Sequence, residues 1–228
     1  MNDKFYDSLE KSISKDRLEH YSSIFDTNDK KIVIQKYLLN IELSKALYFP
    51  LQKFEITLRN NIHNILTTYL ETDKWFEIDS FLTIESSNKI NDAKKNITKE
   101  LTSGRIVSEL NFGFWCALFS KPYDQKIWNK YTKLIFPNIP KKYATRKILM
   151  NKINFIRKLR NKVFHFDTII HIKNLFEIYK ELLEMIYWLN KDIYDLTIEF
   201  DEFENVYNNE KKIIKEKLDN LCRSTNDL

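Results

Sequence analysis

An arginine and a histidine five positions apart, Arg160 and His165, lie in the run Arg160-Asn161-Lys162-Val163-Phe164-His165. A guanidinium grips a phosphate through two parallel hydrogen bonds. An imidazole titrates near neutral pH and moves protons there. Together they form a minimal set for cutting a phosphodiester by acid–base chemistry. Asn161 stands four residues before the histidine, the spacing at which a helix lets an amide orient a ring. Arg160 and His165 do not share one helical face. They reach a single phosphate from two sides of a groove or across two copies of the helix, which points to a dimer.

The motif ends the most basic part of the chain. Residues 141–166 hold Lys141, Lys142, Arg146, Lys147, Lys152, Arg157, Lys158, Arg160 and Lys162 and no acid. Like charges at that density repel unless a counter-charge is supplied, and a polyanion supplies one. The other reading is a solvated face with partners from the acidic tail, since residues 191–228 carry 6 basic and 10 acidic side chains. The net charge of +5 hides this asymmetry.

Composition bounds the fold. The chain has 228 residues, with 2 Gly and 4 Pro. Sheets joined by tight turns need more of both; helices do not. The 12 Tyr, 16 Phe and 4 Trp argue against disorder. No apolar run approaches the roughly 20 residues of a membrane span, and the first residues lack a signal-peptide pattern. Cys116 and Cys222 make neither a disulfide framework nor a zinc pattern. A cytoplasmic protein without cofactor or metal is therefore expected.

The elements that must position the motif are read in order. A short helix near Lys4–Ile13 and a connector precede a buried helix over residues 32–48. Phe49-Pro50 marks a boundary. Leu51, Phe54, Leu58, Ile62, Ile65 and Tyr69 then form one stripe of an amphipathic helix. On it Glu55, Arg59 and His63 line a second face, either as an ion pair with a bystander histidine or as a polar row facing a site. Residues 86–101 have helical propensity, and Gly104 reads as a helix terminus. Residues 105–120 form one apolar element whose Gly113 suggests close helix-to-helix approach. A helix over 123–136 and a proline-rich loop at 136–140 follow. Residues 143–166 read as a basic amphipathic helix with Ile156, Leu159, Val163, Phe166 and Ile170 on the core stripe. Arg157, Arg160, Asn161 and His165 fall on a neighbouring polar face. Helices over 171–189 and 199–221 complete the chain. Residue 190 is the best candidate for a domain boundary, within a chain expected to be one domain.

Three stretches, in order, resemble the abortive-infection (Abi-like) proteins of bacteria, a branch of the HEPN superfamily of helical ribonucleases. They are FEITLRNNI at 54–62, VSELNFGFWCALF at 107–119 and RNKVFHFD at 160–167. The likeness covers about residues 30–190. It implies an all-α, HEPN-like helical bundle with additional N- and C-terminal helices, the latter an extension over 191–228. It implies a metal-independent endoribonuclease, dimeric, in anti-phage defence or as a toxin. His165 would serve as general acid or base, Arg160 would hold the scissile phosphate, and Asn161 would orient one of them. Arg157, Lys158, Lys162, Arg146 and Lys147 would bind the RNA backbone, and Glu55 and Arg59 become plausible site-lining residues. The product expected is a 2′,3′-cyclic phosphate. Relatives often carry a second histidine and Glu-Pro after the first; Phe166 and Asp167 stand there. Members modified with AMP carry a tyrosine where Asp167 is found, which argues against that regulation. Two alternatives stay open. One is a non-catalytic module that holds RNA, such as a small regulatory RNA. The other is a protein-interaction partner in a toxin–antitoxin pair.

Overall fold

The computed structural model describes residues 3–209 and, beyond them, residues 214 and 218. Among the described residues the regular elements are helical, with no strand. The α-helices are α1 (Asp3–Ile13), α2 (Lys15–Ile24), α3 (Lys30–Tyr69), α4 (Ile84–Asn96), α5 (Ser103–Glu109), α6 (Phe112–Ala117), α7 (Asn129–Ile135), α8 (Arg146–Phe164), α9 (Leu175–Leu189), α10 (Lys191–Phe200) and α11 (Phe203–Asn208). The all-α expectation holds at this level. No helix among the described residues is long and apolar enough to cross a membrane.

The chain falls into two compact units built from interleaved segments. The first comprises Met1–Phe49, Lys162–Leu175 and Asp201–Leu228; the second comprises Pro50–Asn161 and Phe176–Phe200.

In the first unit, α2 occupies much of the expected connector. Ser14 starts it: its Oγ accepts from the Arg17 N–H at 3.3 Å, satisfying a donor the first turn leaves open. Leu18 and Tyr21 of α2 and Val33, Ile34, Leu39, Leu43 and Leu47 of α3 are buried. The Tyr21 and Tyr37 rings meet edge to face at 5.7 Å.

The second unit has an aromatic core. Trp75, Phe54, Phe112, Phe114, Trp115 and Phe119 are almost wholly excluded from water. Phe119 stacks on Trp128 at 3.9 Å, and Phe54 meets Phe112 edge-on at 6.0 Å. Buried helix ends need partners for their last carbonyls. Asn61 supplies two, donating from Nδ2 to Ile135 O at 2.9 Å and to Leu189 O at 3.0 Å. These are the last residues of α7 and α9, so one amide in α3 caps both.

Several boundaries differ from expectation. Proline at position 50 does not end a helix: α3 runs through it. An interior proline costs about 3 kcal/mol, but the buried stripe Leu39, Leu43, Leu47, Leu51, Phe54, Leu58, Ile62 and Leu66 continues across it without a phase break. Residues 105–120 are not one element. Asn111 separates α5 from α6 and caps the latter, its Oδ1 accepting from Phe114 N at 3.1 Å. Gly113 is there for that cap, not for helix approach: a Cβ on it would come within 3.1 Å of the Asn111 Oδ1. Gly104 lies in the first turn of α5, a start and not a stop. The helix expected over 199–221 is interrupted between Phe200 and Phe203, where Asp201 Oδ1 accepts from Phe203 N at 2.9 Å. Its part beyond residue 209 lies outside the described residues apart from Ile214 and Leu218, which are both helical and buried.

Candidate active site

In the second unit, Arg160 is held by residues from far away in sequence. Its Nε donates to Glu55 Oε2 at 3.2 Å, with both side chains about one-fifth exposed. Its guanidinium carbon lies 5.9 Å from the centre of the Phe112 ring, within the range of a cation–π contact. Glu55 belongs to the stretch 54–62, Phe112 to 107–119 and Arg160 to 160–167, so the three sequence signals converge on one guanidinium. The expected ion pair between Glu55 and Arg59 is replaced by this one. Arg59 Nε donates to Asn60 Oδ1 at 3.1 Å. Below the cluster, Cys116 is buried, and burial pushes its thiol up to about 12. A thiol so protonated is an inert core residue.

His63 is half-buried and has a structural partner. Its Nδ1 accepts from Trp75 Nε1 at 3.0 Å, and burial holds its pKa below the ordinary value. The indole needs an acceptor, which the neutral ring provides.

In the first unit, His165 follows the last residue of α8 and occupies its C-cap. The next residue, Phe166, has φ 60°. Phe166 N donates to Val163 O at 3.3 Å and Asp167 N to Lys162 O at 2.8 Å. That pair of bonds is a Schellman motif, which satisfies the last carbonyls of the helix. The helical register placing Asn161 beneath His165 therefore ends at Phe164. Phe166 and Ile170 leave the expected core stripe: Phe166 is 74% exposed, and Ile169 takes the buried position.

The turn is clamped from two helices. Arg17 Nη1 donates to Phe166 O at 3.3 Å. The buried amide of Asn40 donates from Nδ2 to Asp167 O at 3.1 Å and accepts at Oδ1 from Ile169 N at 2.7 Å. Tyr21 is hydrogen-bonded to Thr168, though burial still raises its pKa. The His165 side chain is exposed on this clamped turn. Nearby, burial, then Lys162 and His20, hold the pKa of His171 below the ordinary value. Arg17 and Asn40 are site-positioning residues that the sequence reading missed. The available signal for Asn40 was an amide set between apolar neighbours, Leu38-Leu39 and Ile41.

The basic run divides by use. Arg146 is internal: Nη1 donates to Phe119 O at 2.8 Å, and Nε lies 3.5 Å from Asp124 Oδ1. Lys152 pairs with Glu184 at 3.0 Å and Glu181 at 3.5 Å, with its ammonium 5.4 Å from the Trp188 ring. The acids that meet these cations come from α9, Asp124 and Glu55. Lys147, Arg157, Lys158 and Asn161 are exposed. Lys162 is half-buried, with its ammonium 4.0 Å from Asp167. Among the described residues no group of three or more His, Cys, Asp or Glu side chains stands close enough to hold a metal ion.

No family model matches this chain, and comparison with curated proteins and with solved structures finds no significant match.

Proposed function

We propose that this chain is an endoribonuclease of the HEPN type that cuts RNA without a metal ion, its Arg160/His165 motif shared across a homodimer. The observation that carries the reading is the convergence of Glu55 and Phe112 on Arg160. A guanidinium anchored by a carboxylate and seated against a ring loses little entropy when it takes a phosphate. His165, exposed at the helix end, draws the proton from a ribose 2′-OH or protonates the leaving 5′ oxygen. Arg160 stabilises the charge that develops on the phosphate oxygens. Arg157, Lys158 and Lys147 position the backbone without reading sequence. The attacking group is the 2′-OH, so DNA is not a substrate. The site serves a defence or toxin role, restrained by an antitoxin or a small RNA.

The test is cleavage of total RNA in the presence of EDTA by the wild type and by His165→Ala. The expected result is cleavage by wild type with 2′,3′-cyclic phosphate ends and a loss of about 10²–10⁴-fold in the variant. Because His165 is exposed, the variant should fold normally, which circular dichroism checks. Equal cleavage by both proteins would overturn the assignment of His165. RNA binding without cleavage by either would favour a module that holds RNA.

A further inference from the structure

A cavity of about 500 Å³ lies within the first unit, and both neighbours of His165, Phe164 and Phe166, line it. We propose that it binds one unstacked nucleobase of the RNA strand presented to His165. The inference rests on the proposed function for the identity of the strand, and on the cavity's own chemistry for the base.

Three observations support a planar occupant. The first is stacking. Tyr48 and Phe164 already lie nearly parallel, 5.3 Å apart and inclined by 25°, a ready platform for another flat ring. Tyr37 and Tyr21 add two more aromatic rings to the lining. The second is exposure. Tyr48 is 50% and Phe166 74% accessible, so neither ring is placed there by the demands of the core. The third is a fixed turn. Phe166 takes φ 60° at the left-handed position of the cap that ends α8, and Arg17 pins its carbonyl. Arg17 adds positive charge to the lining, suited to a phosphate flanking a bound base, whereas Lys45 is paired with Glu42 at 3.1 Å.

The volume is that of a small-ligand site. A free nucleotide offers the same planar face, so the experiment separates the two sources. A single-stranded 2′-deoxy oligonucleotide carrying one 2-aminopurine binds without being cut, and stacking quenches its fluorescence. Wild type is expected to quench it more strongly, and at lower concentration, than it quenches 2-aminopurine nucleoside monophosphate. Phe166→Gly and Tyr48→Ala should each weaken quenching by about tenfold or more. Glycine suits the backbone at 166, so Phe166→Gly should keep or raise the melting midpoint, and lost binding cannot then be ascribed to misfolding. Unchanged quenching in both variants, or none with wild type, overturns the pocket. Equal affinity for the free nucleotide overturns the strand as its occupant. The proposed nuclease fails separately: RNA left intact alongside Phe166-dependent quenching keeps the pocket and removes the enzyme. His165-dependent cleavage alongside unaltered binding in both variants does the reverse.

Discussion

Arg160 combines a fixed positive charge, a fork of donors and a ring contact in one side chain. Lysine can replace the first of these only. Arg160→Lys is expected to lower kcat for RNA cleavage by about 10²-fold or more, while RNA affinity, which follows charge, changes little. Single-turnover kinetics beside filter binding would separate the two, and an unchanged kcat would remove Arg160 from the chemistry. His63 gives a prediction about stability. Burial lowers its pKa from the ordinary 6.5 in the folded protein, so on acidification the unfolded chain takes up a proton first. The stability tied to neutral His63 is complete above that unfolded value and is lost progressively as the pH falls below it. Urea midpoints at pH 7.5 and 5.5 should therefore fall in wild type. They should fall less in His63→Gln, whose amide oxygen can still accept from Trp75. His171 contributes with the same sign, so the slope is reduced and not abolished.

The helix ends are what hold the turn that carries His165. The Schellman reversal after α8 sends the chain away from its own axis, and Asn40 in α3 receives it with one donated and two accepted hydrogen bonds. Among the described residues, Asp167 O and Ile169 N have no other hydrogen-bond partner. Asn40→Leu keeps the volume and removes all three bonds, leaving polar backbone without compensation. A loss of about 2–4 kcal/mol in urea unfolding is expected. A loss below about 0.5 kcal/mol, the range of an ordinary surface change, would mean that water replaces the amide. Asn61 performs the analogous task in the second unit for the carbonyl ends of α7 and α9. Both amides belong to α3, and each joins segments remote in sequence.

At the level of the whole molecule, net charge is a poor guide to what is available for a polyanion. Of the nine cations in residues 141–166, Arg146, Lys152 and Arg160 have internal partners, whereas Lys147, Arg157 and Lys158 are exposed. RNA affinity should fall with salt, and each of Lys147→Gln, Arg157→Gln and Lys158→Gln should reduce the slope of log K against log salt by about 0.7. Arg146→Gln should leave that slope unchanged and lower the melting temperature instead. Titrations at four or five salt concentrations would decide this; equal slopes throughout would place RNA, if it binds, on another face.

The sequence alone determined that the chain is helical, because scarce glycine and proline and three-to-four apolar spacing are properties of local backbone and side-chain direction. It also singled out Glu55, Arg160 and His165, because their chemistry is intrinsic to the side chains. Where helices end was less legible. Pro50 reads as a break and is overridden by continuous burial on either side, and Phe166 reads as core but is turned outward by the capping motif one residue after His165. Only the tertiary structure decided that Glu55 turns to Arg160 and not to Arg59, that Arg146 and Lys152 are internal, and that Asn40 and Arg17 clamp the turn. The reason is physical: periodicity is set by neighbours a few residues away. The partner of a charge or an amide is set by whichever distant segment burial brings within hydrogen-bonding distance, and no local pattern records that.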